Sequence, residues 1–178
     1  MEILLISDDL FRQCSPVKEE FAIQTFIPYI ALAQKLYIND ILGAPLLTEL
    51  QNQIKEATES PDAAPYPITE YNRALLSMIA PPLSFYAVYQ GLPFHWAAIL
   101  NKGVTLRESE NSKAVDINDI AQLKRWLKDD AEVLLRQLID YLCSCKNNFP
   151  LWNSQSCCNS AGGAVFDIND CGIYIPNR

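Results

Sequence analysis

The residues that could do chemistry in this chain are few, and their spacing assigns them no reaction. His95 is the sole histidine and stands between Phe94 and Trp96. A nucleophilic dyad would have to join it to a cysteine or serine, yet no nucleophile elbow and no Cys-His pairing marks such a partner. A hydrogen-bonded, partly buried ring is the expectation for it. The six cysteines, Cys14, Cys143, Cys145, Cys157, Cys158 and Cys171, run as a lone residue, a C-x-C, an adjacent pair and another lone residue. That is not the C-x2-C spacing of common zinc sites. A chain with a core of its own does not need a disulfide framework, so free thiols packed as small apolar groups are expected. Metal binding by the five cysteines from Cys143 onward is the alternative. The pairs Asp8-Asp9 and Asp129-Asp130 cannot converge on one point from adjacent helical positions, which argues against paired acid-base work.

Phosphate chemistry fares no better. No Gly-rich cradle of the P-loop or dinucleotide type is present, and Gly162-Gly163 precedes an extended run rather than a helix. Asp167, Asn169 and Asp170 share oxygen ligands with calcium loops but lack the remaining ligands and the closing glutamate. No catalytic residue, cofactor or metal is therefore expected.

Composition narrows the classes further. Of the 178 residues 49% are hydrophobic, enough for one domain with a real core, and the formal net charge is −7. Nucleic-acid binding draws its affinity from Lys and Arg at phosphates, so a sequence-specific DNA binder is disfavoured. The opening Met1 to Ile6 is apolar but brief and is followed at once by acids, unlike a secretory signal, which implies a cytosolic protein. Residues 74–101 carry no formal charge, but Pro81, Pro82, Gly91, Pro93, Gln90 and His95 interrupt them. A buried central helix fits better than a membrane span.

The elements that would hold these residues are mostly helices. Up to Cys14 a short strand or extended arm is expected, and Ser15-Pro16 has the form of a helix N-cap with proline in the first turn. Phe21, Ile23 and Thr25 alternate as an extended approach would, with the main helix then starting near Ile27-Pro28. Ile27, Ile30, Ala33, Tyr37 and Ile41 recur at threes and fours, Gly43 stops that helix, and Leu46, Leu50 and Ile54 carry the next one from Pro45 to about Thr58. The Pro-rich linker 59–67 favours an extended path, either as spacer or as a surface offered to a neighbour.

A third helix is expected from about Ile68 to Gln90, kinked at Pro81-Pro82 and ended by Gly91 and Pro93. The polar excursion 101–115 follows, where Val104 and Leu106 alternate with Thr105 and Arg107 as one edge of a hairpin or an arm would, or else lie in a loop. Asp116 then caps a long amphipathic helix over about 117–146. Its inward row is Ile120, Leu123, Leu127, Ala131, Leu134, Leu138 and Tyr141 or Leu142. Trp126 lies at the edge of that stripe, as core or as contact. Beyond it, Phe149-Pro150-Leu151-Trp152 is an apolar patch, and the runs 164–168 and 172–175 flank a turn as a β-hairpin would. The fold class expected is mainly α: a bundle of about four helices, one proline-kinked and one long and amphipathic, with an extended arm and a short C-terminal β-hairpin. The division expected is 1–150 for the helical domain and 151–178 for the hairpin tail.

The corner Ala33-Gln34, Ile41-Leu42-Gly43, Leu46 and Leu50, followed by a kinked uncharged helix, a Gly-containing polar excursion, a long amphipathic helix and a glycine-rich tail, resembles the head-tail connector (adaptor, or neck ring) proteins of tailed phages. The likeness is to those of phages infecting Bacteroidetes, the crAss-like group included, and covers roughly 21–174. It implies a structural virion protein rather than an enzyme. Such a subunit is assembled in the host cytoplasm into a ring homo-oligomer, a dodecamer by that resemblance, in the virion neck between portal and tail. Its partners would be itself, the portal protein, other neck or tail proteins, and genomic DNA sliding through the channel without specific binding, with no membrane. Candidate contacts are Val104, Leu106, Arg107, Glu108 and Glu110 in the excursion, and Phe149, Leu151, Trp152, Val165, Phe166, Ile173 and Tyr174 in the tail. A small cytosolic metal-binding regulator or enzyme, built on the C-terminal cysteines, is the competing class; stoichiometric zinc would distinguish it.

Overall fold

Ser7 opens the first regular element, because its hydroxyl accepts the Leu10 amide and the acids Asp8 and Asp9 complement the exposed amides of a first helical turn. The computed structural model describes residues 3–17, 23–60, 62, 66–100, 103–106 and 117–152, with the backbone alone at 95–100, 103–106, 117 and 118. Helix α1 is Asp8–Cys14. Here the structure corrects the expected arm: Ser15, read as a start signal, instead ends this helix, its amide donating to the Phe11 carbonyl at 2.9 Å. A 3-10 turn, Ile23–Thr25, leads into α2, Ile27–Ala33, with Pro28 in the first turn where its missing donor costs nothing.

From Gln34 to Ile38 the chain makes a π turn, and α3 follows over Asn39–Glu59. One extra residue per turn rotates everything after it. Gln34, Ile38, Leu42, Leu46 and Leu50 are therefore the fully buried row, while Tyr37 and Ile41, expected inside, are half-buried and Ile27 is exposed. Gly43 makes the corner inside α3 with φ of 73° and ψ of 156°, a backbone that a side chain resists. Pro45 begins the helical run beyond it.

Buried Gln34 acts as a clamp. Its Oε1 accepts the Leu5 amide at 2.9 Å and its Nε2 donates to the Ile3 carbonyl at 3.1 Å, so one side-chain amide mimics a neighbouring strand for the segment that precedes α1. Gln51 adds a 3.3 Å bond to the same Ile3 carbonyl. Gln34→Leu keeps the volume but leaves a buried donor without its partner. We expect it to lower the unfolding free energy in urea by about 1–3 kcal/mol and to speed hydrogen exchange at Leu5. Unchanged Leu5 protection would contradict the clamp.

Helix α4, Glu70–Trp96, is the hub. Thr69 caps it, accepting the Asn72 amide at 3.3 Å, and buried Asn72 donates to Glu49 at 3.1 Å and Gln53 at 2.9 Å, tying the start of α4 to α3. Leu75, Ile79, Ala80, Leu83 and Ala87 have no solvent contact, and α1, α2, the π turn and α5 all pack on this helix. Helix α4 includes Pro81-Pro82 within one element and, contrary to the end expected at Gln90, continues through Gly91 and Pro93. Packing against α1, α2, the π turn and α5 outweighs the lost donors, and Ser77, whose carbonyl Pro81 deprives of its amide, lies at an exposed position that water reaches.

Two strands extend α4: β1, Ala97–Leu100, pairs antiparallel with β2, Gly103–Leu106, in the register Ala97↔Leu106 and Ile99↔Val104. Of the readings open for Val104 and Leu106, this is the hairpin edge. Helix α5, Ile117–Ser144, is about 42 Å long and buries Leu127, Ala131, Leu138 and Leu142 as expected. Leu123 departs from the expected row and is exposed; Lys124 beside it covers the Tyr89 ring, its Nζ 4.6 Å from the ring centre. A short 3-10 turn, Lys146–Asn148, brings Phe149 and Trp152 back onto the helices, so the packed body runs through Trp152. The chain is mainly helical; the expected hairpin at 164–175 lies outside the described residues.

Candidate interface

Among the described residues, the groups that sequence alone marked for chemistry are spread over α1, α4, and α5 with its C-terminal end. Burial pushes the Cys14 thiol up, away from the thiolate a nucleophile needs. Asp8 and Asp9 occupy the first turn of α1, and Asp129 and Asp130 are exposed on α5. His95 belongs to the last turn of α4. Among the described residues no group of three or more His, Cys, Asp or Glu could hold a metal, and no helix is long and apolar enough to cross a membrane. Cys14 and Cys145 are free thiols, whereas Cys143 is disulfide-bonded, which departs from the free state expected for most cysteines and withdraws it from a thiolate ligand set. Cys157, Cys158 and Cys171 lie outside the described residues.

The buried polar and aromatic groups serve the joints between helices. Tyr37 and Tyr86 stack with ring centres 3.8 Å apart, and Gln90 donates to the Tyr37 hydroxyl at 2.7 Å. Burial first, and the nearby Glu132 carboxylate second, drive the Tyr86 phenol far above its ordinary value, so it stays neutral. These contacts join α4 to the π turn, while Tyr89 on the same helix meets Lys124 of α5.

The contact residues expected in the tail divide. Phe149 and Trp152 are buried inside the protomer and are core, a correction to their assignment as surface: Phe149 packs near Tyr141, and the Trp152 indole donates to the Ile41 carbonyl at 2.8 Å. Leu151 between them remains exposed. In the excursion, Val104 and Leu106 belong to β2. Arg107, Glu108, Glu110, Val165, Phe166, Ile173 and Tyr174 lie outside the described residues.

Two apolar surfaces went unread in the sequence, apart from Trp126, for which contact was one of two readings. On the outer side of α2 and the π turn, Leu32 and Leu36 are exposed, the latter by 50%. On α5, Trp126 is 58% and Val133 53% exposed, with Leu123 in line. Of the two readings open for Trp126, core is ruled out, since the side chain is exposed. The signal for the second was present: 123, 126, 130 and 133 step by three and four along a second face of α5, hidden by the stronger periodicity of the buried one.

The match of residues 38–162 to the model of DUF6712, a family of unknown function, shows that the chain belongs to that family. The matched span reaches from the end of the π turn past Trp152, so it covers the corner, the hub helix, α5 and the returning segment. No curated protein and no solved structure matches the chain.

Proposed function

We propose that this member of the DUF6712 family is a structural subunit of the neck of a tailed phage, one copy of a ring that joins portal to tail around the DNA channel. The observation that carries the reading is the pairing of a tightly joined helical body with large apolar side chains left exposed on different elements, Leu36 on the π turn and Trp126 and Val133 on α5. Exposed side chains of this size on separate faces suit a protein that is covered by neighbours on two sides, as a ring subunit is. The resemblance of the corner and of the element order to connector proteins supports the same reading. A net charge of −7 suits a channel past which DNA slides without adhering.

The hairpin Ala97–Leu106 and exposed Leu151 are further contact material, and the ring size, dodecameric by resemblance, is part of the proposal. Co-expression with the portal protein of the same genome tests it. Closed rings seen by electron microscopy, seated on portal particles and matched by the native mass, are the expected result. A chain that stays monomeric at high concentration and fails to bind portal particles would sink the proposal.

A further inference from the structure

We propose that the outer face of α5 docks on the outer face of α2 and the π turn of the next copy of this chain, so that the ring contact of the reading above is a helix-on-helix seam. On α5, Asp119, Leu123, Trp126, Asp130, Val133 and Gln137 step by four and three alternately, and all are exposed. That is the spacing with which one helix presents a continuous strip to another. The only charges on this strip are acidic. The four cations of α5 stand off this strip: Lys128 pairs with Glu132 at 3.3 Å, Lys124 covers Tyr89, and exposed Arg125 and Arg136 each precede a strip residue.

The strip on the other side has the complementary make-up. Pro28, Leu32 and Leu36 are exposed at four-residue steps, and Lys35 beside them is the sole formal charge between residues 27 and 38, with Asp40 one turn beyond. Among the described residues, no salt bridge involves Lys35, Asp119 or Asp130. An apolar strip with a cation thus faces the solvent on one side of the protomer and an apolar strip with acids on another.

The two strips do not meet within one copy, since every residue named on each of them is exposed there. Different, complementary surfaces on one chain give a head-to-tail contact that propagates to the next copy. Charge matching then sets its direction and register, with Lys35 against Asp130.

The test uses the whole chain in two variants that disable one face each. Leu32→Glu with Leu36→Glu, and Trp126→Glu with Val133→Glu, change exposed positions, so far-UV circular dichroism of both should match the unaltered protein. Sedimentation and native mass spectrometry should show each variant alone as a monomer, its self-association weakened about thirtyfold or more, as burying a charge in place of a central tryptophan would do. An equimolar mixture should form a one-to-one dimer, because each variant retains the face that the other lacks. Asp130→Lys alone should weaken assembly, and Lys35→Glu added to it should restore it. A mixture that stays monomeric, or variants that assemble like the parent, would overturn the inference, as would a strip covered by the chain's own remaining segments in a parent that never self-associates. Parent rings on portal particles with both variants still assembling would remove this seam and leave the connector reading standing.

Discussion

Trp152→Ala is expected to lower the free energy of unfolding by about 3–5 kcal/mol, the range for emptying a buried aromatic site, and Trp152→Phe by about 1–3 kcal/mol. The reason begins more than a hundred residues earlier. In an α-helix the Ile41 carbonyl would accept the amide of residue 45, but residue 45 is a proline and Gly43 turns the backbone out of the helix before it. A buried carbonyl without a donor is costly. Trp152, only 4% exposed, supplies the donor at 2.8 Å and fills the space beneath the corner with the rest of its ring.

Alanine removes both contributions and phenylalanine removes the hydrogen bond while keeping most of the packing, so urea denaturation of the pair separates them. Equal stability of the phenylalanine variant and the parent would show that the indole N–H contributes nothing. Equal stability of the alanine variant would place 149–152 outside the core. Because the corner fixes how α2 and the π turn leave α3, loss of Trp152 should also loosen the face that bears Leu32 and Leu36.

Gly91→Ala is expected to destabilise the protein by about 1–2 kcal/mol, although a glycine-to-alanine change inside a helix ordinarily stabilises by about 0.5–1 kcal/mol. Space decides the sign. A Cβ at Gly91 would stand 2.7 Å from Phe26 Cε1 and 3.0 Å from Tyr29 Cδ2. The Phe26 ring is itself buried, with the Phe11 ring at 5.6 Å and the Tyr29 ring at 6.0 Å between centres, and has no room to retreat. Strain from overpacking therefore exceeds the gain in helix propensity. A double-mutant cycle with Phe26→Leu is the sharper measurement: the smaller side chain opens the notch, so the alanine at 91 should cost less in its presence. Additive effects would mean that Phe26 is not what Gly91 accommodates.

Sequence alone read the corner and α5 well, because both are written in local terms. Gly43 between two apolar repeats, with Pro45 opening the second, admits few backbones, and α5 alternates its buried and charged positions over seven turns. It read α1 poorly. Ser7-Asp8-Asp9 is a cap followed by two acids, but the apolar run before it drew attention to an extended arm, and Ser15-Pro16 offered a competing start signal. At α4 the proline and glycine rules, which hold for an exposed helix, predicted an end at Gln90; surrounding helices kept the element helical to Trp96.

The sequence by itself determined that this protein is helical and acidic, turns a corner at Gly43 and ends its helical body with a long amphipathic helix. Those properties depend on neighbours within a turn or two along the chain, where periodicity, capping and the freedom of glycine act. Only the tertiary structure decided that the π turn rotates Gln34 and Ile38 inward, that Gly91 is a notch for Phe26, and that Trp152 completes the hydrogen bonding of Ile41. Each of these is settled by a partner distant in sequence. Contact between them follows from how whole helices pack, and no local pattern encodes it.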